Sequence, residues 1–155
     1  MALKVRKVDV WAVEFRDEPG GLAKILAPIA QAGGNLECVI ARRQADKFQA
    51  GIAFITPLKG TKVLGAAHAA GVLPAEGLTT LRVEGPDKPG SCHQMVNAIA
   101  QAGINMRGVS SMTAGKNFVA FIGLDSAEDA DKAIKVLAKV NGKKPAGKKK
   151  KLARA

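Results

Sequence analysis

Apolar and polar positions along the chain fall into short runs with two different periods. Val8, Val10, Trp11, Val13 and Phe15 place apolar residues on both faces of one stretch, which predicts a strand over Val8–Phe15. Leu22, Ile25, Leu26, Ile29 and Ala30 then recur at i, i+3, i+4, i+7 and i+8, the stripe of a helix with one buried face. The turn DEPGG lies between them. Proline is tolerated in a helix only at its first turn, so Pro19 marks the helix start. Gly33 stands where a helix ends in a left-handed residue. Pro28 falls inside the helix, where it removes a hydrogen bond at a cost of about 3 kcal/mol and predicts a kink or a distorted last turn. NLECVIARR and FQAGIAFIT, joined by a polar turn around Asp46, read as a hairpin. TKVLGAAHAAG is a second helix weakened by its glycines.

The same order of elements returns further along. PIAQAGGN begins at Pro28 and AIAQAGIN at Ala98, a separation of 70. Sliding the chain by that distance aligns Glu14–Ile52 with Glu84–Ile122 without a gap, and 14 of 39 positions match. Asp17, Pro19 and Gly20 face Asp87, Pro89 and Gly90. The block Ile29–Gly33 faces Ile99–Gly103, and Asn35 faces Asn105. At the far end Phe48, Ala50 and Ile52 face Phe118, Ala120 and Ile122. A period this long is a duplicated small domain rather than a solenoid repeat. The second copy carries its own helix stripe in Cys92, Met95, Val96, Ile99 and Ala100, with Gly103 at its end. A hairpin of NMRGVSSMT and FVAFIGLD follows, then a helix over SAEDADKAIKVLAKV with a Ser and acidic first turn.

Each copy therefore reads β-α-β-β-α and then β, a split βαβ pattern. The predicted fold class is α+β: two ferredoxin-like βαββαβ units in tandem, each an antiparallel sheet with helices on one face. Residues 7–76 would form the first unit, 77–141 the second, and 142–155 a Lys-rich tail. Gly77–Glu84 can close the first unit or open the second, and a single strand shared by both would fuse the copies. No last strand is visible in the second copy, where lysines begin. Strands apolar on both faces leave one sheet face for a second copy or a second chain to cover, which predicts a homodimer.

Charge alters this picture less than its total suggests. The net charge is +11, but Lys143–Ala155 holds seven cations and no acid, which leaves +4 for the rest. Such a block is a solvated tail or a polyanion contact through Lys143, Lys144, Lys148, Lys149, Lys150 and Lys151, without base reading for want of aromatic side chains among them. No apolar run is long enough to span a membrane and no signal-peptide pattern opens the chain, so a cytoplasmic location is expected. Aromatic residues are 4% of the chain, so the core must be aliphatic. Cys38 and Cys92 lack metal-ligand spacing and read as two small buried thiols. Cys92 and His93 are adjacent, and consecutive side chains on a helix do not face each other. Nothing resembles a base held by a third group, so neither catalysis, cofactor nor metal is expected.

The repeated polar residues at loop positions are the candidate chemistry. DEPGG and DKPGS join a strand end to a helix start, where helix N–H groups attract a carboxylate and glycine admits close approach. Asp17 and Asp87 can accept from an ammonium, and Asn35 and Asn105 can both donate and accept. Acid, amide and N–H donors together suit a zwitterion, a free amino acid. The same residues are also what an ordinary strand-to-helix turn prefers.

A strand, a D-x-P-G turn, a striped helix and then A-x-x-G-I-N resemble the ACT domain family. GPDKPGSCHQMVNAIAQAGINM is the stronger half. EFRDEPGGLAKILAPIAQAGGNL is close, with Gly34 in place of isoleucine. The resemblance runs over Val8 to about Gly71 and Leu78 to about Val140. It implies small regulatory βαββαβ domains that bind an amino acid at an interface, touching the turn after the first strand and the start of the second. Residue by residue, that points to Asp17, Gly20, Gly21 and Asn35, and to Asp87, Gly90, Ser91 and Asn105. With no catalytic segment in the sequence, the pair is expected to act as an amino-acid sensor for a regulated enzyme or regulator.

Overall fold

The computed structural model describes residues 3–140, in twelve elements. In chain order they are β1 (Lys4–Val8), β2 (Trp11–Arg16), α1 (Gly21–Gln31), β3 (Cys38–Arg43), β4 (Ala50–Thr56) and α2 (Thr61–Ala69). Then come β5 (Leu73–Pro74), β6 (Thr79–Pro86), α3 (Ser91–Gln101), β7 (Met106–Ala114), β8 (Asn117–Leu124) and α4 (Ala127–Leu137). They build two four-stranded sheets, ordered β3-β4-β2-β5 and β7-β8-β6-β1. Each is the sheet of a ferredoxin-like unit with two helices, so the α+β tandem arrangement holds.

The first unit is 7–80, and the second combines 3–6 with 81–140. The predicted strand Val8–Phe15 is thus two strands. It breaks between Val8 and Trp11, where the Thr56 hydroxyl donates to the Asp9 carbonyl at 2.6 Å. β1 lies at the edge of the second sheet beside β6, and Leu3 and Val5 pack on that unit's core. The last strand missing from the second copy comes from the chain's beginning.

The linking strand is not shared: of the alternatives the sequence left open, Gly77–Glu84 opens the second unit, and the copies are not fused through it. Leu73–Pro74 pairs antiparallel with Trp11–Ala12 in the first sheet, and β6 belongs to the second. A turn at Glu76–Gly77, with Gly77 at φ 66°, separates the two strands.

The repeat register also changes within the copy. In the last hairpin strand the structural offset is 67, not 70: Ala53, Phe54 and Ile55 of β4 match Ala120, Phe121 and Ile122 of β8. Ala53, Ile55, Ala120 and Ile122 are all fully buried. The first hairpin runs from Arg43 to Ala50, whereas Ala114 pairs with Asn117 in the second. There Gly115 has φ 62°, the sign a type II′ turn requires at its first central residue. The alignment of Phe48 with Phe118 therefore fails. Phe118 is buried in the second core, and Phe48 sits in the longer loop, 92% exposed.

Between the hairpins and the turns, α1 and α3 are alike. Each starts after a left-handed glycine, Gly20 at φ 82° and Gly90 at φ 85°, so Pro19 and Pro89 lie just outside the helices. Each ends in a Schellman motif: Gly33 N–H to the Ala30 carbonyl and Gly34 N–H to Ile29, then Gly103 to Ala100 and Ile104 to Ile99. α1 continues through Pro28 to Gln31, and the Pro28 carbonyl still accepts from Ala32 N–H at 3.0 Å. In the second unit Ser126 caps α4, accepting from Asp129 N–H at 3.1 Å. Ile29, Ala53, Ile55 and Ala67 centre the first core; Leu81, Met95, Ile99, Ile122 and Leu137 centre the second. Cys38 is buried as expected, but Cys92 is exposed, because it occupies the solvent side of the first turn of α3.

Candidate functional site

The two repeated turns share a backbone. Asp17 N–H donates to the Gln49 carbonyl and Asp87 N–H to Lys116, which ties each turn to the hairpin of its own unit. Gly21 N–H donates to Glu18 and Ser91 N–H to Lys88; Lys24 N–H and Gln94 N–H donate to Gly20 and Gly90. Neither helix has a side-chain cap. Among the described residues, the N–H groups of Leu22 and Ala23, and of Cys92 and His93, are left over at the two helix starts. These are the orphan donors that an anion can satisfy.

Their side chains set the turns apart. The Asp17 carboxylate is held by Arg43 Nε at 2.7 Å, and Glu18 pairs with Lys24 at 3.4 Å. Position 113, the repeat partner of Arg43, is a threonine. No described residue bonds to the exposed Asp87 carboxylate. Gly21 is buried, and a Cβ there would lie 2.0 Å from the Arg16 carbonyl oxygen. Ser91 takes the same place with its hydroxyl donating to the Pro86 carbonyl at 3.5 Å. Among the described residues the second turn is therefore the more open: a carboxylate without a cation on it, a hydroxyl, and two uncapped N–H groups.

Asn35 and Asn105 are exposed and lie just before β3 and β7. The fold does not bring them to the turns of their own units. α1 separates Gly21 from Asn35 by its whole length, roughly 16 Å at 1.5 Å per residue. Strand register agrees: Arg16 is opposite Ala50, whereas Cys38 is opposite Thr56 at the other end of the sheet. The acid and the amide within reach of one another that the sequence suggested are thus not a single-unit site. A ligand touching both an aspartate turn and an asparagine draws the asparagine from outside that unit.

Among the described residues no group of three His, Cys, Asp or Glu side chains is placed to hold a metal ion. No helix there is long and apolar enough to cross a membrane. Lys143, Lys144 and Lys148–Lys151 lie outside the described residues. One feature the sequence did not reveal is an open apolar groove of about 500 Å³ in the first unit, between α2 and the β2–β5 edge.

The fold defines a class, a pair of ferredoxin-like α+β units. No protein-family model matches the chain, and no curated protein matches its sequence. Solved structures do match over nearly the whole length. Protein BT0572 of Bacteroides thetaiotaomicron is 16% identical with a TM-score of 0.72, over 87% of this chain and 89% of that one. The regulatory subunit of aspartate kinase from Thermus thermophilus, in ligand-free form, is 16% identical with a TM-score of 0.63, over 90% and 96%. The corresponding subunit from Thermus flavus is also 16% identical, with a TM-score of 0.61 over the same shares. At these identities the likeness is one of fold.

Proposed function

We propose that this protein is a non-catalytic regulatory module that binds a free amino acid and signals its level to a partner enzyme or regulator. The carrying observation is the DKPGS turn. There the Asp87 carboxylate has no protein partner among the described residues and comes four residues ahead of a helix whose Cys92 and His93 N–H groups are uncapped. The N–H groups suit the ligand carboxylate, and Asp87 suits its ammonium. Gly90 in its left-handed conformation leaves room, with no atom within 4 Å of where a Cβ would stand. Asn105, or Asn35 beside the DEPGG turn of Asp17, Gly20 and Gly21, completes such a site when supplied by a second copy in a homodimer. The regulatory subunits that share this fold support the reading.

A thermal-shift screen of the protein against the twenty amino acids tests it. A ligand that binds only the folded state raises the melting temperature by mass action. One amino acid should raise it, and Asp87→Ala should remove the shift. A flat screen, or a shift that survives in Asp87→Ala and in Asn105→Ala, would overturn the proposed site.

A further inference from the structure

In the first unit an exposed aromatic knob and an apolar groove lie at opposite ends of one sheet. Phe48 is the knob. It is 92% exposed, in a loop held on both sides. Lys47 and Gln44 bond the Glu14 carboxylate, and the Gln49 carbonyl accepts from Asp17 N–H. Gln49 has φ 51°, a left-handed conformation unusual for a residue with a side chain. A loop fixed in this way presents its phenylalanine at little entropic cost to a partner.

The groove is lined by Trp11, Leu58, Leu64, Val72, Leu73 and Pro74. Leu58 and Val72 form a buried floor, and Leu64 and Leu73 are large apolar side chains left 39% and 51% exposed. The groove exists because β5 is only two residues long and pairs with β2 only at Trp11 and Ala12. It cannot take its own Phe48. Trp11 and Arg16 mark the two ends of β2, roughly 17 Å apart at 3.4 Å per residue, and the loop is at the Arg16 end.

The second unit is built differently at both places. Its hairpin closes on Gly115–Lys116, Phe118 is inside the core, and the five-residue β1 fills the corresponding sheet edge with Leu3 and Val5 packed inward. An exposed loop phenylalanine and a two-residue edge strand thus occur together in one unit, where its repeat has the buried Phe118 and a five-residue edge strand. Charge fits as well. Exposed Asp46 stands two residues before Phe48; exposed Lys59 and Lys62 stand beside the groove residues Leu58 and Thr61. None of the three has an ion-pair partner among the described residues.

We infer that the groove receives Phe48 of a second copy of this chain, while its own Phe48 enters that copy's groove. The contact is two-fold and self-complementary, and each ring meets Trp11 with Asp46 facing Lys59 and Lys62. This rests on the homodimer of the proposed function and names its interface. Buried aromatic anchors carry much of the energy of such contacts.

Trp11 is the only tryptophan in the chain, so its fluorescence reports on the groove. Sedimentation velocity and Trp11 emission are followed together over a dilution series. They are measured for the full chain and for Phe48→Ser, Leu73→Asp, Asp46→Lys and the double variant Asp46→Lys/Lys62→Asp. Both Phe48 and Leu73 are exposed, so these changes spare the core, which circular dichroism verifies. The full chain should sediment as a dimer whose dissociation shifts Trp11 emission to the red. Phe48→Ser and Leu73→Asp should each weaken the dimer at least about tenfold, near 1.4 kcal/mol. Asp46→Lys should weaken it, and the double variant should recover part of the loss. A full chain that stays monomeric overturns the homodimer and this interface together. A dimer untouched by Phe48→Ser and Leu73→Asp, or one whose dissociation leaves Trp11 emission unmoved, overturns the interface alone.

Discussion

Phe15 lies with its ring directly over Gly51, its antiparallel partner across β2 and β4. A Cβ on Gly51 would come within 2.4 Å of that ring. The second unit makes the same contact with the residues exchanged: Gly85 on β6 lies beneath the Phe118 ring of β8, at 2.9 Å from a Cβ placed on it. One layer of each core is thus an aromatic ring covering a glycine. The two copies have placed the ring on opposite strands.

Gly51→Val should therefore destabilise the protein by about 1–3 kcal/mol, the usual result of forcing atoms into a filled core. Gly51→Phe should cost at least as much. Combined with Phe15→Gly, it recreates the arrangement of the second unit and should recover most of the loss. Urea unfolding of the single and double variants gives the coupling energy; strict additivity would refute the exchange.

Gly21 and Ser91 occupy equivalent positions but are not interchangeable. Gly21→Ser places a Cβ 2.0 Å from the Arg16 carbonyl oxygen, a backbone atom that no rotamer change can move. It should lower stability by about 2–3 kcal/mol. Ser91→Gly loses only the 3.5 Å bond to Pro86 and should cost below about 1 kcal/mol. Thermal melts of the two variants make the comparison directly.

The N-terminal strand belongs to the second unit's sheet, and this has a local signature. Val5→Asp sets an unpaired carboxylate against that unit's core and should cost about 1–3 kcal/mol. Hydrogen exchange should show protection falling in β6 and β8 while β2 and β4 keep theirs. Equal losses in all four strands would contradict the assignment of β1.

The loop that carries Phe48 responds to pH through Glu14 and Lys47. Hydrogen bonds from Lys47 and then Gln44 hold the Glu14 carboxyl below its ordinary value, and the bond to Glu14 holds the Lys47 ammonium above its own. For the lowered acid, stabilisation is present above the ordinary carboxylate pKa and is lost as pH falls through the lowered one. For the raised base, it is present below the ordinary lysine pKa and is lost as pH rises through the raised one. The tether is thus intact across neutral pH. A carbon NMR titration should find the Glu14 midpoint below 4.5 and returning towards it in Lys47→Ala.

Much of this molecule was legible in one dimension. The helix stripes, the left-handed glycines after them, the Ser126 cap and the duplication itself are local or periodic signals, set by backbone sterics and by burial at a fixed spacing. They yielded the α+β class and the position of both turns. The change of register from 70 to 67 was also present in the repeated Ala-Phe-Ile, although the chance match of Phe48 with Phe118 concealed it.

Which strand joins which sheet was decided only in three dimensions. Val8–Phe15 is β-rich on both sides of Asp9, and nothing local says that the strand before Asp9 pairs with β6 while the one after it pairs with β4. Strand pairing is settled by which edge is left open after the other elements pack. The same holds for the candidate site. Asp17 and Asn35, or Asp87 and Asn105, are near in sequence, yet an eleven-residue helix holds each pair at its two ends. The tertiary structure also placed Arg43 on Asp17 and, among the described residues, put no such partner on Asp87. That contrast follows from one hairpin strand carrying an arginine where its repeat carries Thr113.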